Sequence, residues 1–98
     1  MIDYKILSRE VTLMNPLGLH ARPAAMIAKI ARTAEKSIWL GDGDYKADVA
    51  SVIDILSISG TKGKAFVLEA ESENDLPLLE AIVAAFENGF GEVTNGQS

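Results

Sequence analysis

The sequence predicts an α+β fold: a four-stranded antiparallel sheet covered on one face by three helices, in the order βαββαβα. Three observations carry this. Segments of two-residue apolar alternation are interleaved with segments at helical spacing. A Gly-Asp-Gly-Asp turn at residues 41–44 makes the central pair of strands a hairpin, and a hairpin is antiparallel. The length, 98 residues, allows one modest core and too little chain for two. Connections that run through helices then cross the same face of the sheet, and the other face meets water.

Each element has its own warrant. Residues 4–14 alternate loosely, with Ile6, Ser8, Glu10 and Thr12 against Leu7, Arg9, Val11 and Leu13, which suits a half-buried strand. Asn15, Pro16, Leu17 and Gly18 supply turn chemistry, and from Ala21 the positions Ala24, Ile27, Ala28 and Ala31 recur at helical spacing as far as Thr33. His20 therefore falls where strand gives way to helix. Residues 36–40 set Ile38 and Leu40 against Ser37 and Trp39 as a strand, with a short partner over 45–48. Residues 50–58 carry Val52, Ile53, Ile55 and Leu56 at the spacing of a short amphipathic helix, stopped by Ser59, Gly60, Thr61 and Gly63. Residues 64–71 form the last strand, alternating through Ala65, Val67 and Leu68. In the final helix Asp75 is the expected cap, Pro77 sits in the first turn, Leu78, Leu79, Ile82, Val83 and Phe86 make an apolar stripe, and Asn88 and Gly89 end it. The expected domain spans 1–91, with 92–98 a frayed tail.

Composition narrows the function. There is no cysteine, so disulfides, thiol nucleophiles and thiolate ligands drop out, and a reducing cytoplasm fits. A formal net charge of -5 argues against nucleic-acid binding, which depends on clustered Lys and Arg. The N-terminus lacks a basic stretch leading into an apolar run, and no stretch reaches the roughly 20 apolar residues of a membrane span. A cytoplasmic monomer is expected. The charge is uneven, however: Arg22, Lys29 and Arg32 fall in one short segment after His20 and could make a positive spot.

The residues Gly18, Leu19, His20, Ala21, Arg22, Pro23 and Ala24 hold the chemistry. The first N–H groups of a helix lack internal partners and, with the macrodipole, attract an anion by about 0.3–1 kcal/mol at exposed positions. The same field disfavours an imidazolium, so a histidine there is expected to stay neutral and keep a nucleophilic lone pair. Pro23 in the first turn removes an N–H that had no acceptor and leaves the amides of Ala21 and Arg22, while biasing Arg22 away from helical angles. Arg22 adds a planar donor fork suited to phosphoryl oxygens. The plainer alternative makes His20 a helix N-cap or a packing residue. A metal site is not expected, because one histidine without cysteine or a sequence-adjacent carboxylate supplies too few ligands. No cofactor is expected either. A free-standing hydrolase lacks support, since there is no second histidine, nucleophile-base set or Gly-rich nucleotide loop.

The string GLHARPA closely resembles the active-site motif of the HPr family, the phosphocarriers of bacterial sugar and nitrogen phosphotransferase systems, and the resemblance runs over residues 11–91. It implies that His20 is phosphorylated on Nδ1 by a phosphoenolpyruvate-dependent Enzyme I, that Arg22 assists, and that a IIA-type acceptor takes the group onward. It also implies the family's open-faced β-sandwich, in agreement with the periodicity. The protein is then a stoichiometric carrier rather than an enzyme. The other reading in play is a regulatory module whose phosphorylation at His20 or Ser51 controls association with a kinase, transcription factor or enzyme.

A second match, from Ala50 through Ile58, resembles the family's short second helix. In many Gram-positive relatives the serine corresponding to Ser51 is phosphorylated by an HPr kinase/phosphorylase, where a dianion on a docking face would repel acidic partners. A simple serine N-cap explains Ser51 equally. By resemblance Val52, Ile53 and Leu56 belong to the docking surface, with Ile53 expected to be more exposed than Val52. Lys29 and Arg32 either guide an acidic partner or are ordinary solvated charges. Asp54 departs from the glycine or lysine usual in the sugar branch and should weaken docking on acidic sugar-specific acceptors. SVIDIL and AAFENGFGE look closer to the nitrogen branch, called NPr, which as a rule lacks the serine switch.

Overall fold

Alternation along four short segments sorts their side chains onto the two faces of one sheet. The computed structural model describes residues 7–58 and 60–92. Strands β1 (Ser8–Thr12), β2 (Ile38–Gly41), β3 (Lys46–Asp48) and β4 (Ala65–Ala70) lie in the order β1-β4-β2-β3, every neighbouring pair antiparallel. The last strand thus sits between the first two, and helices α1 (Ala21–Ala31), α2 (Val52–Ser57) and α3 (Leu76–Glu87) supply the crossovers and the cover. The four-stranded α+β architecture is the one expected.

Val11, Ile38, Leu40, Ala47, Phe66, Leu68 and Ala70 face the helices and are buried. Glu10, Thr12, Ala65 and Val67 point to the open side and are exposed. In β4 the inward face is therefore Phe66, Leu68 and Ala70, fixed by the register that sets Val11 opposite Phe66. The helices meet this layer with Ala24, Ile27 and Ala31 of α1, Ile55 of α2, and Leu79, Ile82 and Phe86 of α3. Each large side chain so buried contributes about 1.5–3 kcal/mol of apolar transfer free energy. No helix among the described residues is long and apolar enough to cross a membrane.

Several boundaries differ from those expected. Residues 4–6 of the first strand, Ser59 in the turn after α2, and 93–98 of the expected tail lie outside the described residues. The strand reaches Thr12, and Leu13 still pairs with the β4 side, its N–H bonding the Lys64 carbonyl at 2.9 Å. Asp75 does not cap α3 with its side chain. It is buried and accepts hydrogen bonds from the N–H groups of Glu35 (2.8 Å) and Lys36 (2.9 Å), in the loop between α1 and β2. A loop packed against the core must find acceptors for its amides, and a buried carboxylate supplies two at once. Ser72 does the local capping instead, its hydroxyl accepting from the Asn74 N–H at the single turn Glu73–Asp75.

α3 stops at Asn88, and the chain then makes one tight turn, Gly89–Gly91. Its three residues have left-handed backbones, with φ of 60°, 56° and 74° for Gly89, Phe90 and Gly91. Glycine takes that conformation freely, whereas phenylalanine does not. Burial compensates: Phe90 is enclosed in the core and meets the Phe86 ring edge-on at 4.9 Å between centroids. The turn throws the following residue, Glu92, back across the molecule toward the start of α1.

Candidate functional site

His20 occupies the N-cap position of α1 with extended backbone angles, φ −93° and ψ −171°, and its side chain makes no cap bond. The first helical bond runs from the Ala24 N–H to the His20 carbonyl at 3.0 Å. Ahead of it, Ala21 and Arg22 carry N–H groups for which the helix has no acceptor, and Pro23 carries none. The bias that Pro23 places on Arg22 is overridden, since Arg22 is helical as the second residue of α1. The reading of His20 as a cap is right for its backbone and wrong for its ring.

The turn before the site is held from two sides. Gly18 has φ +75°, and its N–H bonds the Asn15 carbonyl at 3.1 Å. Leu19 is buried and donates its N–H to the Gly60 carbonyl at 3.2 Å, which ties the turn to the loop after α2.

The ring is not left to solvent alone. His20 Nε2 lies 2.7 Å from Glu92 Oε2, with 35% of the histidine side chain and 13% of the glutamate side chain exposed. Arg22 donates from Nη1 to the Phe90 carbonyl (2.8 Å) and to the same Glu92 Oε2 (3.2 Å). Asn15, fully buried, donates from Nδ2 to Glu92 Oε1 and to the Gly18 carbonyl, both at 2.8 Å. Burial alone would raise the Glu92 carboxyl, but the donors Asn15, His20 and Arg22 outweigh it and hold it below its ordinary value. Glu92, expected in a frayed tail, is part of the site.

Neither Glu92 nor Asn15 was a candidate from the sequence. Asn15 reads as a turn residue, and Glu92 is 72 positions from His20. The available signal is the pair of glycines flanking Phe90, which marks a tight turn but not its direction.

The other candidates are dispersed. α2 packs beside α1, and on it Ile53 is 77% and Leu56 44% exposed, Val52 is half-buried, and Ile55 belongs to the core. Leu17, in the turn before His20, is 74% exposed. Ser51 is the N-cap of α2, its hydroxyl accepting from the Asp54 N–H at 3.2 Å. Asp54 in turn accepts from the Asp48 N–H at 3.1 Å. Lys29 and Arg32 are exposed but lie about 13 and 18 Å along the helix from His20 at 1.5 Å per residue, too far to touch a group on its ring.

A shallow site of this kind offers one imidazole, one guanidinium and a helix start, which suits brief custody of an anion better than turnover of an enclosed substrate. Residues 7–88 match the family model described as "PTS HPr component phosphorylation site". The chain is 35% identical to phosphocarrier protein NPr of Shewanella violacea over 88 residues, covering 90% of this chain and 97% of that protein. It is 26% identical to phosphocarrier protein HPr of Cupriavidus necator, over 89% of this chain and 98% of that one. Among solved structures, HPr-C-His from Thermoanaerobacter tengcongensis superposes with a TM-score of 0.81 at 30% identity, over 88% of this chain and 97% of that chain.

Proposed function

We propose, from the premise that this chain belongs to the HPr family of phosphotransferase-system phosphocarriers, that it accepts a phosphoryl group on His20 from phosphorylated Enzyme I and delivers it to a IIA-type acceptor in the cytoplasm. The observation that carries the reading is the placement of His20 as the extended residue before an 11-residue helix, with its ring partly exposed. A phosphoryl group on that ring would sit by the N–H groups of Ala21 and Arg22 and the positive end of the helix dipole. Arg22, half exposed, can bring further donors of its fork to the phosphoryl oxygens. Ile53, Leu56 and Leu17 form an apolar docking surface beside it, and Lys29 and Arg32 add positive charge further along α1 that steers an acidic partner.

The nitrogen branch receives more support than the sugar branch. NPr of Shewanella violacea shares 35% identity with this chain and HPr of Cupriavidus necator 26%. Asp54 adds a negative charge to the docking helix, which disfavours acidic sugar-specific acceptors. Control through Ser51 is the weaker alternative, because its hydroxyl already accepts from the Asp54 N–H, and a phosphate there would meet the carboxylates of Asp54, in the first turn of α2, and of Asp48, at the end of β3.

The test is direct. Incubation with Enzyme I, Mg²⁺ and phosphoenolpyruvate should give an acid-labile, alkali-stable adduct on His20 that a IIA-type acceptor removes. His20→Ala should abolish acceptance while the protein stays folded, and Arg22→Ala should slow it. Normal labelling of the His20 variant would overturn the assignment, and label that no acceptor removes would favour a signalling role.

A further inference from the structure

The residue that meets the His20 ring comes from the far end of the described chain, and a built device delivers it. Phe90, locked in the core against Phe86 in a left-handed conformation, aims the next residues at the site. Glu92 then places Oε2 at 2.7 Å from Nε2 of His20. Asn15 holds the other carboxylate oxygen at 2.8 Å while anchored to the Gly18 carbonyl. The buried Asn15 Oδ1 has no hydrogen-bond partner among the described residues. A buried amide that leaves its carbonyl unmatched is a net cost, which points to its NH₂ group as the part the fold uses.

We infer that Glu92, held in place by Asn15, is a positioning residue that keeps the proton of His20 on Nε2 and stabilises the ring while Nδ1 carries the phosphoryl group. This rests on His20 being the phosphoryl acceptor. The argument is one of donors and acceptors. A carboxylate held below its ordinary proton affinity is ionised at neutral pH and can only accept, so the 2.7 Å contact makes Nε2 the donor. In the neutral ring the lone pair is then on Nδ1.

The step balances without moving a proton. The Nδ1 lone pair forms the new N–P bond as the bond from phosphorus to the phosphorylated atom of the donor protein breaks, and that atom keeps the electron pair. The ring of His20 becomes a phosphoimidazolium, still bearing Nε2–H, and its new positive charge faces the Glu92 carboxylate. Arg22, which donates to the same carboxylate oxygen, can turn toward the phosphoryl oxygens without leaving Glu92 unpartnered, because Asn15 and His20 remain.

The test uses the full chain labelled with ¹⁵N in its one histidine. In the unphosphorylated protein the Nε2–H proton should be visible and slow to exchange. Glu92→Gln keeps the shape and the acceptor but removes the charge; it should speed that exchange and lower the fraction phosphorylated, at fixed Enzyme I and phosphoenolpyruvate, by about fivefold to tenfold, the size of a partly exposed charge-assisted hydrogen bond. Asn15→Ala should reproduce part of both effects, and Glu92→Asp should restore part of the phosphorylated fraction. Thermal melting of Glu92→Gln identifies any loss of fold. Folded Glu92→Gln with unchanged exchange and unchanged phosphorylation would overturn the inference and leave His20 as carrier. Failure of the parent protein to take label would overturn the carrier reading instead, while the exchange measurement would still decide whether Glu92 holds Nε2.

Discussion

Gly18 and Gly60 meet backbone to backbone: a Cβ added to Gly18 would lie 2.5 Å from the Gly60 carbonyl oxygen, the same oxygen that accepts the Leu19 N–H. The turn that carries His20 is therefore clamped to the loop that follows helix α2. Gly18→Ala must both adopt φ +75° with a side chain and push that carbonyl away. We expect a loss of about 1–3 kcal/mol in urea unfolding and a slower phosphoryl acceptance, since Leu19 and His20 move with the turn. Stability and acceptance equal to those of the parent would show that the two loops separate without consequence.

That clamp also marks what the sequence could and could not reveal. Turn chemistry at Gly18 and the apolar spacing at Ala24, Ile27 and Ala31 are local, and they place His20 correctly at the helix start. The stripe Leu79, Ile82 and Phe86 is legible for the same reason. Asp75 misleads because an aspartate before a helix looks like a cap, while its true partners, the amides of Glu35 and Lys36, lie about 40 positions away. Glu92 was hidden more deeply. Its position depends on a phenylalanine in a backbone conformation that propensity disfavours, and only the tertiary fit of Phe90 against Phe86 explains why it is adopted. Local rules read elements; a residue whose role is set by a contact across the fold leaves no local trace.

Asp75 supports the loop that leads into β2. Removing a buried acceptor from two amides costs the fold twice, so Asp75→Ala should lose about 2–4 kcal/mol. Asp75→Asn retains one acceptor oxygen and should lose less. Hydrogen exchange at Glu35 and Lys36 is the specific readout: both amides should lose protection in the alanine variant before the rest of the sheet does. Unchanged exchange there would mean that water serves them as well as the carboxylate.

Helix α2 has an exposed face, Ile53 and Leu56, and a buried one, Ile55, so the proposed docking role can be tested apart from stability. Ile53→Asp and Leu56→Asp alter exposed positions, so unfolding should shift by no more than about 0.5–1 kcal/mol, while the affinity for Enzyme I drops several-fold. Ile55→Ala removes a fully buried side chain on the same helix and should cost about 2–4 kcal/mol with less effect on binding by the folded fraction. If Ile53→Asp bound Enzyme I as tightly as the parent, the docking surface would have to lie elsewhere.

Ser51 offers two separable outcomes. Ser51→Ala deletes the acceptor for the Asp54 N–H and should cost about 1 kcal/mol, with phosphoryl acceptance little changed. Ser51→Asp keeps a capping oxygen and adds charge beside Asp54 and Asp48, so it should remain near parental stability and slow transfer from Enzyme I. An unchanged transfer rate in Ser51→Asp would place Ser51 outside the docking surface.

Acid should loosen the site in a defined direction. Glu92 is held below its ordinary value of 4.5, burial raising it and the donors Asn15, His20 and Arg22 more than reversing that. Asp42 is held below 3.8, chiefly by the Asp44 N–H and by Lys64. The unfolded chain therefore binds protons at these carboxylates at higher pH than the folded one, so stability rises with pH across the window between the two values. The contribution is complete above about pH 4.5 for Glu92 and is lost as pH falls through its folded value; that of Asp42 follows at lower pH. Urea unfolding from pH 7 to pH 3 should show this decline, and Glu92→Gln, which cannot titrate, should show a shallower one beginning at lower pH. Parallel curves for the two proteins would mean that the Glu92 carboxylate gains nothing from its contacts with His20, Arg22 and Asn15.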